Sequence, residues 1–282
     1  WCFKKANGKI SPPLRPLAHL TIRDQTLATA AMLCLADAVE TLQGKTDQPN
    51  YHSAQKHEVF SYGNRLFCDW KTLSDAREKA RFRWGNANTY TQFFTDYQRF
   101  LQRPSEVCRD QIGQLNNERL YIIKLDLEKF YDCIDRDALV KTLGLLYTNY
   151  ADKFDIKYDA AKANIFFEHL RSVMSWQWNS NDQKKSVLFS NNTSLPEGLP
   201  QGLVASGFFA NAYLHLLDRQ LGKRIGKSFP FNSLNLSLSE VLSTPLDQLQ
   251  FSVRIIDYCR YVDDIRIVIT TPEDGSEVDR EN

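Results

Sequence analysis

Two adjacent acids, Asp263 and Asp264, stand inside one of the most apolar stretches of the chain. Residues 251–256 and 260–270 are β-prone runs carrying Val253, Ile255, Ile256, Val262, Ile265, Ile267, Val268 and Ile269. Taking an unpaired carboxylate out of water costs several kcal/mol, so carboxylates in such a place are normally paired or bound to metal. The two runs are separated by Asp257, and the pattern predicts a hairpin formed between them. A second pair of acids, Asp126 and Asp132, follows the short apolar run Ile122, Ile123, Lys124, Leu125. Side chains alternate across a strand, so an aspartate at the end of one strand can be aimed at a hairpin lying beside it in the same sheet. Asp126, Asp263 and Asp264 then converge. Three such carboxylates suit two divalent ions about 3.5–4 Å apart, one activating an attacking hydroxyl and the other stabilising the leaving oxygen of a phosphoryl transfer.

Charge points the same way once it is divided along the chain. The net charge of the 282 residues is only +1, but residues 1–119 carry 17 basic and 12 acidic side chains and residues 120–282 carry 18 and 22. The first 23 residues hold Lys4, Lys5, Lys9, Arg15 and Arg23 and no acid. A basic lobe beside a carboxylate cluster suits a polyanion held over metal ions. No run approaches the roughly 18 apolar residues of a membrane span, so no membrane partner is expected. The six cysteines are widely spaced with no C-x-x-C pair, which signals neither a disulfide framework nor a zinc site and fits a reducing, cytoplasmic setting. The opening at Trp1, with no apolar leader, is expected of a fragment without a signal peptide.

Along the chain, Pro12, Pro13 and Pro16 exclude a helix from residues 1–20. Helical spacing of Leu27, Ala30, Ala31, Leu33, Cys34, Ala38 and Leu42 predicts one long, mostly buried helix over residues 22–42, and residues 45–58 read as a polar loop. The aromatics of residues 70–118 predict helices, and aromatics among them could stack on unpaired bases. Residues 121–127 predict a strand, 137–146 a helix, 160–178 a helix, 179–193 a polar loop and 203–221 a strongly apolar helix. Residues 222–250, rich in Ser, Leu and Asn and lacking periodicity, read as an insertion.

These residues together resemble a known family. Lys5 to Gly8 with Arg15-Pro16-Leu17; Thr21-Ile22-Arg23-Asp24; Ser61-Tyr62-Gly63 with Arg65; Leu125-Asp126 through Phe130-Tyr131-Asp132; Gly198-Leu199-Pro200-Gln201-Gly202 with Ser206, Asn211 and Tyr213-Leu214; and Arg260 to Asp264 match, in order, the motifs of reverse transcriptases of the bacterial group II intron type. A lone Tyr-Val-Asp-Asp arises by chance in many proteins; six motifs in the family's order do not. The resemblance implies an α+β right-hand polymerase, fingers and palm with an antiparallel palm sheet, the thumb absent from this chain. Residues 1–119 would be fingers, 120–143 the first catalytic strand of the palm, 144–190 the connection, and 191–282 palm with the insertion. It implies an RNA-directed DNA polymerase with catalytic Asp126, Asp263 and Asp264, these carboxylates and the Leu127 carbonyl holding two Mg2+ ions, with Mn2+ a substitute. Lys5 and Arg15 would clamp the incoming dNTP triphosphate, with Lys129, Phe130, Tyr131 and Gln201 also lining the dNTP site. Tyr131, five residues after Asp126, would lie beneath the sugar and exclude a ribose 2′-hydroxyl, which favours DNA as product. Gln201 would lie near the nascent base pair. RNA template, DNA product and dNTPs follow as partners, and a dedicated non-coding RNA is a further candidate.

The chain also departs from that pattern. Asn64 and Leu66 flank Arg65 where the group II enzymes have an aromatic and a proline, and the segment around 222–250 is extra. Such divergence resembles the defence-associated or abortive-infection reverse transcriptases. Template-independent or protein-primed DNA synthesis needs the same triad and stays open, as does a non-catalytic RNA-binding scaffold, against which the intact triad argues.

Overall fold

The computed structural model describes residues 4–6, 9–11, 17–83, 85, 88–115, 117–185, 197–230 and 252–272. The chain forms two compact units, each assembled from two segments: Trp1–Leu35 with Lys129–Tyr213, and Ala36–Glu128 with Leu214–Asn282. The division falls inside helix α1 (Ile22–Gln43), which matches the helix expected over 22–42.

The second unit is built on a four-stranded antiparallel sheet in the order β5 (Glu118–Asp126), β8 (Asp264–Pro272), β7 (Ser252–Tyr261), β6 (Ser228–Pro230). The central strands β7 and β8 are buried on both faces, which is why they read as near-continuous apolar runs, whereas β5 alternates half-buried and exposed positions. On one face Val253, Ile255, Tyr258, Ile265, Ile267 and Ile269 pack with Phe60 and with Leu221 of α8 (His215–Gly222). On the other, Ile256, Cys259 and Val268 meet Tyr51 of α2 (Tyr51–Lys56) and Phe100 and Val107 of α3 (Phe93–Ile112). A separate hairpin, β3 (Cys68–Thr72) with β4 (Glu78–Phe82), completes this unit.

The first unit holds the short hairpin β1 (Lys4–Ala6) and β2 (Lys9–Ser11), the start of α1, a 3-10 turn at Phe130–Cys133, and helices α4 (Arg136–Lys153), α5 (Ala160–Met174), α6 (Ser180–Lys185) and α7 (Ser206–Tyr213). Asp135 caps α4 by accepting from the Ala138 N–H at 2.8 Å, and Asp159 caps α5 in the same way through the Ala161 N–H at 2.9 Å. Leu139, Leu143, Leu146, Leu170, Phe208 and Phe209 are buried along these helices.

Several expectations need correction. The hairpin of residues 251–270 does not break at Asp257: β7 runs through it with a bulge between Ile255 and Asp257, and the turn is at residues 262–263. The bulge lets Ile256 and Asp257 both project toward α2 and α3. The polar stretch 45–58 contains α2, a helix too short to show periodicity but capped by the Asn50 side chain, which accepts from the Ser53 N–H at 2.8 Å. Residues 70–118 begin not as helix but as the β3–β4 hairpin, whose turn is fastened by Leu73 N–H to the Arg77 carbonyl and Arg77 N–H to Asp75. The apolar stretch 203–221 is two helices separated at Leu214, and the loop expected over 179–193 starts with α6. Within the insertion expected around 222–250, residues 228–230 are strand β6 paired with β7; residues 231–250 lie outside the described residues. No described helix is long and apolar enough to cross a membrane.

Candidate active site

Strand β8 pairs with β5 along its full length, from Glu118 opposite Pro272 to Asp126 opposite Asp264. On its other side Asp264 faces Tyr261 of β7. Asp263 occupies the turn between β7 and β8, and its carbonyl accepts the Leu127 N–H at 3.3 Å. Asp126, Leu127, Asp263 and Asp264, separated by up to 138 positions in sequence, are therefore brought to one end of one sheet. Asp126 is exposed; Asp263 and Asp264 are half-buried.

The turn is held in an unfavourable conformation. Val262 has φ 57°, a left-handed value that a β-branched residue adopts only where its surroundings impose it. Those surroundings are the segment from Phe60 to Gly63, which runs alongside: Arg260 N–H donates to the Phe60 carbonyl at 2.8 Å, and Tyr62 N–H donates to the Arg260 carbonyl at 3.0 Å. A Cβ on Gly63 would lie 2.6 Å from Val262 Cγ2 and 2.7 Å from its backbone nitrogen, so only glycine permits this approach.

Beneath the turn, Arg260 is fully buried and forked onto Asp218 of α8, Nε to Oδ1 at 2.7 Å and Nη2 to Oδ2 at 2.7 Å; Tyr258 Oη donates to the same carboxylate at 2.8 Å. His215, one turn earlier on α8, is buried near this pair with Nδ1 lacking a hydrogen-bond partner among the described residues, and burial pulls its pKa down to about 4. On the opposite face, Arg103 of α3 holds Asp257 through two bonds of 2.7 Å, and Gln55 donates to Asp257 at 2.7 Å. Arg65, one of the motif residues, is also buried: it donates to Glu40 at 2.8 Å and to the Ser61 carbonyl at 2.8 Å. It secures the segment that supports the turn.

Asp264 has a partner that sequence reasoning missed. Arg266, two positions along β8, donates Nη2 to Asp264 Oδ2 at 2.9 Å and Nη1 to Oδ1. Burial pushes the Asp264 carboxyl upward, the Arg266 charge opposes that, and the nearby Asp126 charge adds to it. Among the described residues no group of three or more His, Cys, Asp or Glu side chains is gathered as a metal site. The donor chemistry still fits a hard divalent cation, because the three carboxylates and the Leu127 carbonyl offer oxygen alone at adjoining positions. Strand periodicity was the available signal for Arg266: an arginine at i+2 from an aspartate shares its face.

The candidate nucleotide residues of the first unit form a second arrangement. Lys129, at φ 52°, leads into the 3-10 turn and is exposed. Phe130 is buried, its ring 6.4 Å from Tyr213 and 5.8 Å from Tyr131, and Tyr131 is half-buried. The glycine-rich segment is laced to this turn: Gly198 N–H donates to the Asp132 carbonyl at 3.1 Å and Leu199 N–H to the Tyr131 carbonyl at 2.8 Å. A Cβ on Gly198 would stand 2.0 Å from the Tyr131 carbonyl oxygen. Gln201 is half-buried, with Nε2 3.4 Å from Asp132 Oδ1 and its carbonyl accepting from Ala18 N–H at 2.8 Å. Trp176 Nε1 donates to the Gly198 carbonyl at 3.0 Å, and Arg136 lies over the Trp176 ring while donating to the Met174 and Trp176 carbonyls. Two motifs 66 or more residues apart thus meet in one unit. Lys5 is in β1 opposite Ile10, and Arg15 lies outside the described residues.

Comparison with known families decides what this constellation belongs to. The family model described as reverse transcriptase (RNA-dependent DNA polymerase) matches residues 63–280, well over half of the chain. The chain belongs to the reverse transcriptases. It is an RNA-directed DNA polymerase, a nucleotidyltransferase, and its mixed helix and antiparallel-sheet architecture is of the palm-like kind that family has. No curated protein and no solved structure matches it. The matched span of the reverse transcriptase takes in Asp126, Tyr131, Gln201, Asp263 and Asp264, whereas Lys5 and Arg15 precede it. RNA templates, dNTPs and divalent metal ions such as Mg2+ are what reverse transcriptases use.

Proposed function

We propose that this chain extends a 3′ end with dNTPs on an RNA template by two-metal-ion catalysis, as the fingers and palm of a group II intron-like reverse transcriptase. One observation carries the reading: Asp126 and Asp264 stand opposite each other at the end of β5 and β8, with Asp263 in the turn beside them. Bound Mg2+, or Mn2+ in its place, would supply an activated hydroxyl and charge neutralisation at the phosphoryl group. Asp126 and Asp263 hold the ions, joined by the Leu127 carbonyl, with Asp264 as the third acid. Arg260, Asp218 and the Phe60 to Gly63 segment fix where these acids sit. Lys5 and Arg15 clamp the triphosphate, Tyr131 excludes a 2′-hydroxyl, and Gln201 lies by the nascent base pair.

The departures around Arg65 support a divergent, defence-type member, possessing its own RNA partner. The departures are built into the local structure: Leu66 is buried and donates its N–H to Glu40 at 3.0 Å, the same carboxylate that holds Arg65, and Asn64 takes a left-handed φ of 52°. Primer extension on a defined RNA template tests the central reading. Asp263→Asn should lower incorporation about a thousandfold, equivalent to about 4 kcal/mol of lost transition-state stabilisation. Undiminished product from a folded variant would refute it, and product formed equally without template would replace templated copying by template-independent synthesis.

A further inference from the structure

The Asp264 carboxylate is engaged at both oxygens by one cation of the chain itself, Arg266. Arg266 and Asp264 share a face of β8, and their side chains keep only 15% and 29% exposure. Below the guanidinium lies the ring of Phe100, 5.2 Å from the guanidinium carbon and fully buried on α3. An arginine seated on a fixed aromatic face and forked onto a carboxylate has little freedom to swing away. Its register partner across β5 is Lys124, so the face carrying Asp126 and Asp264 carries two cations next along the strands. A divalent ion approaching Asp264 therefore meets a carboxylate whose charge is already balanced, whereas Asp126 is exposed at the strand end.

Building on the metal-binding reading above, we propose that Arg266 is a positioning residue that keeps Asp264 as a charge-balanced carboxylate, leaving direct contact with the cations to Asp126 and Asp263. Asp264 then sets the field of the site through its pair with Arg266 instead of acting as a donor. Two consequences follow from charge alone. Removing the arginine leaves an extra negative charge beside the metal site, and removing the aspartate leaves an extra positive one; both act at short range, where salt screens them least.

Mn2+ binding to the full chain, followed by electron paramagnetic resonance without nucleotide or primer, reads this directly. Arg266→Gln should tighten Mn2+ binding roughly five- to tenfold, Asp264→Asn should weaken it by a similar factor, and the double variant should return to within about twofold of the parent. A double variant as weak as Asp264→Asn would make Asp264 a direct donor and overturn the proposal, as would unchanged or weakened binding in Arg266→Gln. The double variant keeps the net charge of the pair, so it decides the matter even if circular dichroism shows a single variant unfolded. Asp126→Asn and Asp263→Asn are the separate control: if neither weakens Mn2+ binding, it is the metal-site reading that falls.

Discussion

Replacing Asp218 by Asn tests whether the β7–β8 hairpin is held from below by the Arg260 pair. The two side chains are 0% and 5% exposed, and both guanidinium-to-carboxylate bonds are 2.7 Å long. Asn keeps the shape of Asp but removes the charge, and its amide group would present donors to a guanidinium that has only donors to offer. Arg260 would be left as an uncompensated buried cation, which costs about 3–5 kcal/mol. Tyr258 would compete for the one remaining carbonyl oxygen. At about 2–4 °C per kcal/mol for a chain of this size, the midpoint of thermal unfolding should fall by roughly 10 °C. Urea unfolding followed by circular dichroism measures the loss, and the pair Asp218→Leu with Arg260→Met, which removes both charges, should recover at least half of it. A loss below about 1 kcal/mol in Asp218→Asn would show that Arg260 finds adequate solvation elsewhere, and a double variant no more stable than the single would show that shape, not charge, is what the site requires.

His215 gives a pH signature. Its folded pKa of about 4 lies below the ordinary 6.5, so it folds neutral and its protonation favours the unfolded chain as pH falls below 6.5. Between pH 7.5 and 5 the parent should lose about 2 kcal/mol that His215→Gln does not, measured as the difference between their urea unfolding curves; equal losses would mean the imidazole is solvated. Tyr131→Val should raise ribonucleotide incorporation relative to deoxynucleotide, read as the ratio of kcat/KM values for matched rNTP and dNTP; an unchanged ratio in a folded, active variant would assign Tyr131 to packing alone.

The elements with long, regular patterns were legible from the sequence. Residues 22–42 match α1 to within a residue, although its buried face is carried by Ala28, Met32, Leu35 and Val39 and not by Leu27, Ala30 and Cys34, which are exposed; residues 121–127 lie almost wholly within β5. The acid pair was expected beside a hairpin turn, and the structure brings Asp126 opposite Asp264 at the end of that hairpin. What stayed hidden depends on pairs far apart in sequence. Arg103 and Asp257 are separated by 154 positions and Asp218 and Arg260 by 42, and no local pattern couples them. Without Arg103 in view, Asp257 reads as a polar interruption in an apolar run, which is why the hairpin was expected to divide there. The differing burial of Phe130 and Tyr131 was hidden for a related reason: they are adjacent in one motif, but the 3-10 turn buries one ring beside Tyr213 and leaves the other half-exposed.

The close passage of Gly63 against Val262 makes those two positions a single unit of variation, although 199 positions separate them. A library that diversifies the residue before the two aspartates, to alter fidelity or nucleotide choice, is exploring space that Gly63 alone leaves open. Any side chain introduced at position 63 would be read as a catalytic defect while never touching a substrate, because its first effect is to lift the backbone that carries Asp263. Screens of this polymerase should therefore vary 63 and 262 jointly, and treat a dead variant at either position as information about the other.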